Sequence, residues 1–272
     1  MKPSYRVVIP SYKRSELILT HTLRCLEQTD IRRDEVYVFV ADKKEFCTYR
    51  AALPRWVEVV LGVRGLPNQQ NFISQYFPEG DHILSIDDDI SKIVGLTPDG
   101  KRTRATKIHD FIETAFAETD VRGMRMWGIN STDSNLEMKP RVSVGRIYIV
   151  GNFYGFINTH DVVMDTGECI KSRREFKAGK VSHERSLLMW ERYGGVLKYR
   201  CLGVVSKYWG VPGGHQVSRT NEGEAEATNY FHKRWPDATR IREHKGFVDL
   251  VIRPSTTVHP AEYFQPEFGG KR

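Results

Sequence analysis

The chain has 272 residues, 40% of them hydrophobic and 28% charged, with 41 Lys and Arg against 34 Asp and Glu and a formal net charge of +7. It is long enough to bury a sizeable core, and its composition is that of an ordinary soluble globular protein. No apolar run approaches the length of a membrane span, and MKPSYRVVIP at the N-terminus has neither a signal nor a transit pattern, so a cytoplasmic protein without a membrane partner is expected.

In chain order, Tyr5 to Pro10 is a β-branched run stopped by proline, which predicts a buried parallel strand. Ser15 is the expected cap of a helix with apolar positions at Leu17, Ile18, Leu23 and Leu26. Cys25, Cys47, Cys169 and Cys201 lie far apart, without CxxC or zinc spacing, and read as free thiols in a reducing compartment. Glu35 to Ala41 is a second strand. Asp42 after it either faces the crevice at the carboxyl edge of a parallel sheet or caps the following helical segment, Lys43 to Leu53. Val57 to Gly62 is a third strand, Gly65 and Pro67 mark a loop, and Gln69 to Tyr76 has helical spacing. His82 to Ile90, HILSIDDDI, follows as a fourth strand that ends in Asp87, Asp88 and Asp89. This β-α-β-α-β-α-β order predicts an α/β fold: a single Rossmann-like domain with a mostly parallel sheet and helices on both faces.

The second half is expected to be mixed. Thr97 to Lys101 reads as a β-turn, Lys107 to Thr119 as an amphipathic helix, Trp127 to Ile129 as a strand, and Val142 to Ile157 as paired strands bent at glycines. Val162 to Met164 reads as a short strand, Ser182 to Tyr193 as a helix stopped by Gly194 and Gly195, and Leu197 to Ser206 as a strand. Tyr208 to Gln216 is irregular, Glu222 to Trp235 helical, Phe247 to Ile252 a final strand, and residues 254–272 an extended arm. The expected division is a domain over 1–253, with halves 1–95 and 96–253, followed by that arm.

The acid triplet holds the clearest chemistry. Three adjacent carboxylates repel one another, and at the end of a strand entering a core they cost stability unless neutralised. Read alone, the triplet is either a solvated acidic turn or a site for a divalent cation.

VVIPSYKR, Asp42, GLPNQQN and SIDDDI, in that order and spacing, resemble the glycosyltransferases of the A fold, particularly the inverting family-two type; GNFYGF and SHERSLLMWERYGG extend the resemblance to roughly residues 5–195. The resemblance implies a nucleotide-sugar donor, with UDP expected, across the carboxyl edge of the sheet. It places Pro10, Tyr12, Arg14 and Asp42 around the base and ribose. Asp89 corresponds to the cation ligand, for Mn²⁺ or Mg²⁺, and Asp87 to a donor contact that could join the metal site; Asp88 is less defined. Glu184 matches the catalytic base ahead of Leu187, Leu188, Arg192 and Gly194. The family usually has a second acid where this chain has His183, which leaves Glu175 or His183 as alternatives for the base. His215 resembles the histidine that completes the metal site in some members, Arg219 could clamp the diphosphate, and Gln70 or Asn71 could touch the donor. Read without the resemblance, Glu184 complements a helix dipole, while His215 and Arg219 are surface residues.

Fold alone does not select the acceptor. The basic balance, the absence of an anchoring helix, and basic residues interleaved with aromatics (Arg102, Arg104 and the run Lys171 to Lys180) point to DNA. The whole is similar to phage and kinetoplastid enzymes that glycosylate hydroxymethyl-pyrimidines in DNA, which implies a hexosyl- or pentosyltransferase of the host cytoplasm. A glycan or lipid precursor as acceptor, or a catalytically inactive nucleic-acid-binding homologue, are the rivals. VVIPSYKR lacks the Gly-rich phosphate loop of a nucleotidyltransferase.

Overall fold

A computed structural model describes residues 4–165, 180–207, 213–214, 220–244 and 247–261. Strand β1 (Arg6–Pro10) lies between β2 (Val36–Val40) and β4 (His82–Ile86), and β2 pairs with β3 (Val57–Leu61), all in parallel register. The apolar side chains of β1, β2 and β4 are buried on both faces, as a sheet covered by helices on either side requires, while β3 at the edge exposes Glu58 and Leu61.

Beyond β4 the order continues through β9 (Phe153–Ile157), β7 (Met126–Asn130), β10 (Val196–Ser206), β8 (Arg141–Arg146) and β13 (Ser255–Pro260). Only β9 and β8 run against the rest of this nine-strand path, so the sheet is mostly parallel in direction. Two further strands, β5 (Ile90–Leu96) and β6 (Arg102–Arg104), form a hairpin attached through β5 to β10. A separate two-stranded ribbon pairs β11 (Thr239–His244) with β12 (Phe247–Ile252).

Helices cover both faces. On one side are α1 (a continuous helix made of Ser15–Ile18, a π-helical turn Leu19–Leu23, and Arg24–Glu27), α2 (Lys43–Ala52) and α4 (His109–Val121), which bury Ile18, Leu23, Tyr49, Ile112 and Phe116 with Trp127. On the other, α3 (Leu66–Tyr76) and α5 (Val181–Tyr193) contribute Ile73 and Met189 to a core with Val8, Phe39 and Phe156. Helix α6 (Asn221–Arg234) packs Ala227 and Phe231 against Leu187 of α5 and Leu250 of β12.

Several local expectations give way. Ser15 is the first helical residue, and Arg14 is the cap without a side-chain cap bond. Helix α3 starts earlier than its apolar spacing suggested, because Pro67 suits the first turn and Gly65 supplies the positive φ of 91° before it. Residues 142–157 hold two strands that do not pair with each other: β8 lies between β10 and β13, and β9 between β4 and β7. Residues 162–164 form no strand. Phe247–Ile252 is not the last strand, since Ser255–Pro260, expected to open an extended arm, closes the sheet edge against β8. Among the described residues Cys25, Cys47 and Cys201 are free thiols.

Candidate active site

Because β1, β2 and β4 are parallel, the residues following each of them emerge at one edge of the sheet, where open α/β sheets bind ligands. The acid triplet there is built into a turn held from three directions. Thr22, fully buried in the π-helical turn of α1, donates its hydroxyl to the Asp87 carbonyl (2.7 Å) and accepts the Ile90 N–H (3.0 Å). The Asp87 N–H donates to the Asn152 carbonyl (3.0 Å), and the Lys207 N–H at the end of β10 donates to the Asp89 carbonyl (3.2 Å).

The three side chains have different surroundings. Asp88 is buried and doubly engaged, by Ser11 Oγ (2.6 Å) and by the Arg14 guanidinium (2.9 Å). Asp89 is equally buried; one oxygen lies 3.7 Å from Arg14, and the other, Oδ1, has no hydrogen-bond partner. Asp87 is half-buried. Burial raises all three above the ordinary carboxylate range. Asp87 is raised furthest, with the charges of Asp89 and Asp88 adding to desolvation; the Asp88 charge also lifts Asp89; Arg14 opposes the rise in each case.

The loop after β1 carries the opposing charge. Pro10 ends the strand, and Tyr12 is half-buried with the Lys13 ammonium 5.0 Å from its ring. Lys13 has a left-handed φ of 56°, and its N–H donates to Glu45 (2.7 Å). Tyr49 accepts the Arg14 N–H (2.8 Å), and its hydroxyl shares a hydrogen bond with Ser11 Oγ (2.7 Å). Burial pushes the Tyr49 phenol up to about 12, so it stays neutral in this hub. Asp42 resolves as a helix cap: its carboxylate accepts the Glu45 N–H (3.0 Å) at the start of α2. The Gly214 N–H donates to the Tyr12 carbonyl (2.9 Å), and a Cβ on Gly214 would stand 2.7 Å from the Arg14 guanidinium carbon. Glycine there lets the backbone at Gly214 lie directly against Arg14.

Glu184 lies in the first turn of α5, fully buried, and accepts the Asp165 N–H (2.6 Å). The Gly151–Asn152 loop joins this helix start to the triplet: Asn152 receives the Asp87 N–H, and Gly151 donates to Ser182 Oγ (3.1 Å). His183 is buried and stacked on Tyr148 with ring centroids 4.1 Å apart. Desolvation first, and then the Lys180 charge, depress it to about 4, so the imidazole is neutral and sits in packing.

Both ends of the Asn71 amide are taken by backbone. It accepts the Met164 N–H (2.9 Å) and donates to the Met164 carbonyl (2.8 Å), clamping the chain just before Asp165. Gln70 is buried in α3. Glu175, His215 and Arg219 lie outside the described residues, as do the basic residues 171–179. Thr22, Asn152, Ser11 and Tyr49 were missed in the sequence. The one available signal was Thr22, a polar residue amid the apolar positions of its helix.

The donor set suits a hard divalent cation, since carboxylate oxygens are its preferred ligands. The buried, unpartnered Asp89 Oδ1 fits that chemistry, because an orphaned acceptor in a dry site is costly. The three triplet carboxylates do not converge on a single point. Among the described residues only His109, Asp110 and Glu113 bring three ligand atoms within 4.8 Å of one another.

The site therefore belongs to an α/β sheet with acids and a basic loop at its carboxyl edge. No family model and no curated protein matches the chain. Among solved structures it is similar to Staphylococcus aureus TarS 1–349 in complex with UDP-GlcNAc (15% identity, TM-score 0.47, 79% of this chain and 61% of that one). It is also similar to the mannosyltransferase PcManGT from Pyrobaculum calidifontis in complex with GDP-Man and Mn²⁺ (15%, 0.44, 77% and 59%), and to an active-site mutant of LgtC (11%, 0.42, 71% and 72%). The chain thus spans about three-fifths of the first two.

Proposed function

We propose that the chain is a metal-dependent glycosyltransferase that moves a hexosyl or pentosyl group from a UDP-sugar, with inversion, to the hydroxyl of a 5-hydroxymethyl-pyrimidine in DNA. The transferase reading is carried by the buried, unpartnered Oδ1 of Asp89 at the carboxyl end of β4. Mn²⁺ or Mg²⁺ held by Asp89, with Asp87 alongside, would neutralise the departing diphosphate as a Lewis acid. Pro10, Tyr12 and Arg14 border the nucleotide, and Asp88 keeps Arg14 oriented through its 2.9 Å contact. Glu184 takes the acceptor proton; its bond from the Asp165 N–H fixes the carboxylate before substrate arrives.

The DNA acceptor is supported by the net charge of +7 and by the basic residues flanking the site in sequence. No helix among the described residues is long and apolar enough to cross a membrane. Incubation with UDP-sugars, Mn²⁺ and hydroxymethylated DNA, read by mass spectrometry of the nucleosides, should show a glycosylated base. Asp89→Ala should lose both Mn²⁺-dependent UDP binding and transfer, whereas Glu184→Gln should bind UDP and fail to transfer. UDP binding by wild type that is indifferent to Mn²⁺ and to Asp89→Ala would sink the metal-site reading, and transfer to glycan or lipid acceptors alone would sink the DNA assignment.

A further inference from the structure

The β5–β6 hairpin begins one residue after Asp89 and carries a row of cations. In its antiparallel register Val94 stands opposite Arg104 and Leu96 opposite Arg102, so these four residues share one face. Lys92, two residues before Val94, lies on the same face because strand side chains alternate. Lys92, Arg104 and Arg102 therefore occupy successive rungs roughly 7 Å apart, two residues of strand rise.

All three are exposed, and with Lys101, Asp133 and Asn135 they line an open groove of about 610 Å³ between the hairpin and the loop that follows β7. Four cations there face one carboxylate. Lys101 is paired with Asp99 (2.7 Å), and Arg102 donates to the Asp133 carbonyl (2.5 Å) and lies 3.7 Å from the Asp133 carboxylate. Arg104 is bonded to the neutral Gln28, and among the described residues Lys92 has no ion-pair partner.

Packing does not require this charge. The apolar members of the same face, Val94 and Leu96, are buried against Met138 and complete their own small core. The cations add self-repulsion to the free protein, which a bound polyanion would relieve. Lys92 is only three residues from Asp89, on a strand whose partner β10 ends with the Lys207 N–H on the Asp89 carbonyl. The Lys92 end of the groove is thus the end nearer the triplet along the strand.

The geometry points to the row Lys92, Arg104 and Arg102 as the track for the phosphodiester backbone of a nucleic-acid acceptor, leading it past the acid triplet. This assignment rests on the DNA-acceptor reading above and names the surface that reading needs. Phosphate contacts of this kind position a strand without reading its sequence.

The test is duplex DNA binding as a function of salt, by fluorescence anisotropy on the full chain. Replacing Lys92, Arg102 and Arg104 together by Gln should lower affinity at 50 mM salt and flatten the log–log salt slope by about 2.7, roughly 0.9 per lost phosphate contact. Lys92→Gln alone should flatten it by roughly 0.9 and removes no bond within the protein. Mn²⁺-dependent UDP binding should stay at the wild-type level in both variants. An unchanged slope with intact UDP binding would overturn the track while leaving the transferase reading standing. Failure of wild type to bind UDP would instead count against the transferase reading.

Discussion

Arg14→Met tests the electrostatic construction of the site. The Arg14 side chain is 8% exposed and sits 2.9 Å from Asp88 and 3.7 Å from Asp89, themselves only about 5% exposed at the side chain. Removing one partner of a buried ion pair costs about 3–5 kcal/mol, because the remaining charge stays desolvated and unpaired. Ser11 Oγ still serves Asp88 in the variant, which places the expected loss at the low end, about 3 kcal/mol. For a chain of this size that lowers Tm by roughly 6–12 °C. Urea titration with and without Mn²⁺ measures it, and the expected signature is partial recovery by Mn²⁺, since a cation bound only to the folded state adds stability by mass action. A loss below about 1 kcal/mol would mean that Arg14 is not the counter-charge of the triplet. Stability of both proteins that is indifferent to Mn²⁺ would mean that no cation binds beside it.

Thr22→Val keeps shape but leaves the Asp87 carbonyl and the Ile90 N–H without their partner, costing about 2–4 kcal/mol by chemical denaturation, while Thr22→Ser should retain most of that stability. His183, depressed to about 4, is neutral when folded and takes up a proton on unfolding at any pH below its ordinary value of 6.5. Stability should therefore fall as pH drops from 6.5 towards 4, by up to about 3 kcal/mol, and His183→Asn should flatten urea midpoints over that window. Asn71→Ala frees both Met164 bonds and loosens the Asp165 N–H that holds Glu184, so turnover should fall by about 10- to 100-fold with UDP affinity retained. Equal losses in UDP affinity and turnover would show that Asn71 serves the donor side.

The parallel half of the fold was readable because its signals are local. Val7 to Ile9 and Val36 to Val40 are continuous apolar runs, Ile83 to Ile86 is broken only by Ser85, and Gly194 stops α5 in the left-handed conformation with φ 75°, as the Gly-Gly signal implied. Strand β5 was hidden because it follows the triplet without a break, and three charges look like the end of an element. The partners of β8 and β9 were illegible for a different reason: Gly145 lies opposite Val196 and Thr256, and no local pattern encodes a pairing across such separations. The same distance hid the scaffold of the site, since Thr22 reaches Asp87 across 65 residues and Asn71 reaches Met164 across 93. Helix propensity and motif spacing could place Asn71 on α3 but not show that backbone would use both ends of its amide.

Why three acids occur in a row, when a cation needs one or two, follows from what each is bonded to. Asp88 is spent inside the protein: its two oxygens hold Ser11 and Arg14 and so fix the loop after β1 against the end of β4. Its charge then raises both neighbours, which makes the pair Asp87 and Asp89 costly to leave ionised in a dry edge. Arg14 offsets only part of that cost, because its contact with Asp89 is long at 3.7 Å and the other oxygen, Oδ1, is left without a partner. A guanidinium closer to Asp89 would satisfy the site and shut it. The spacing instead leaves one buried oxygen of Asp89 unpartnered with Arg14 beside it, the arrangement on which the proposed cation site rests.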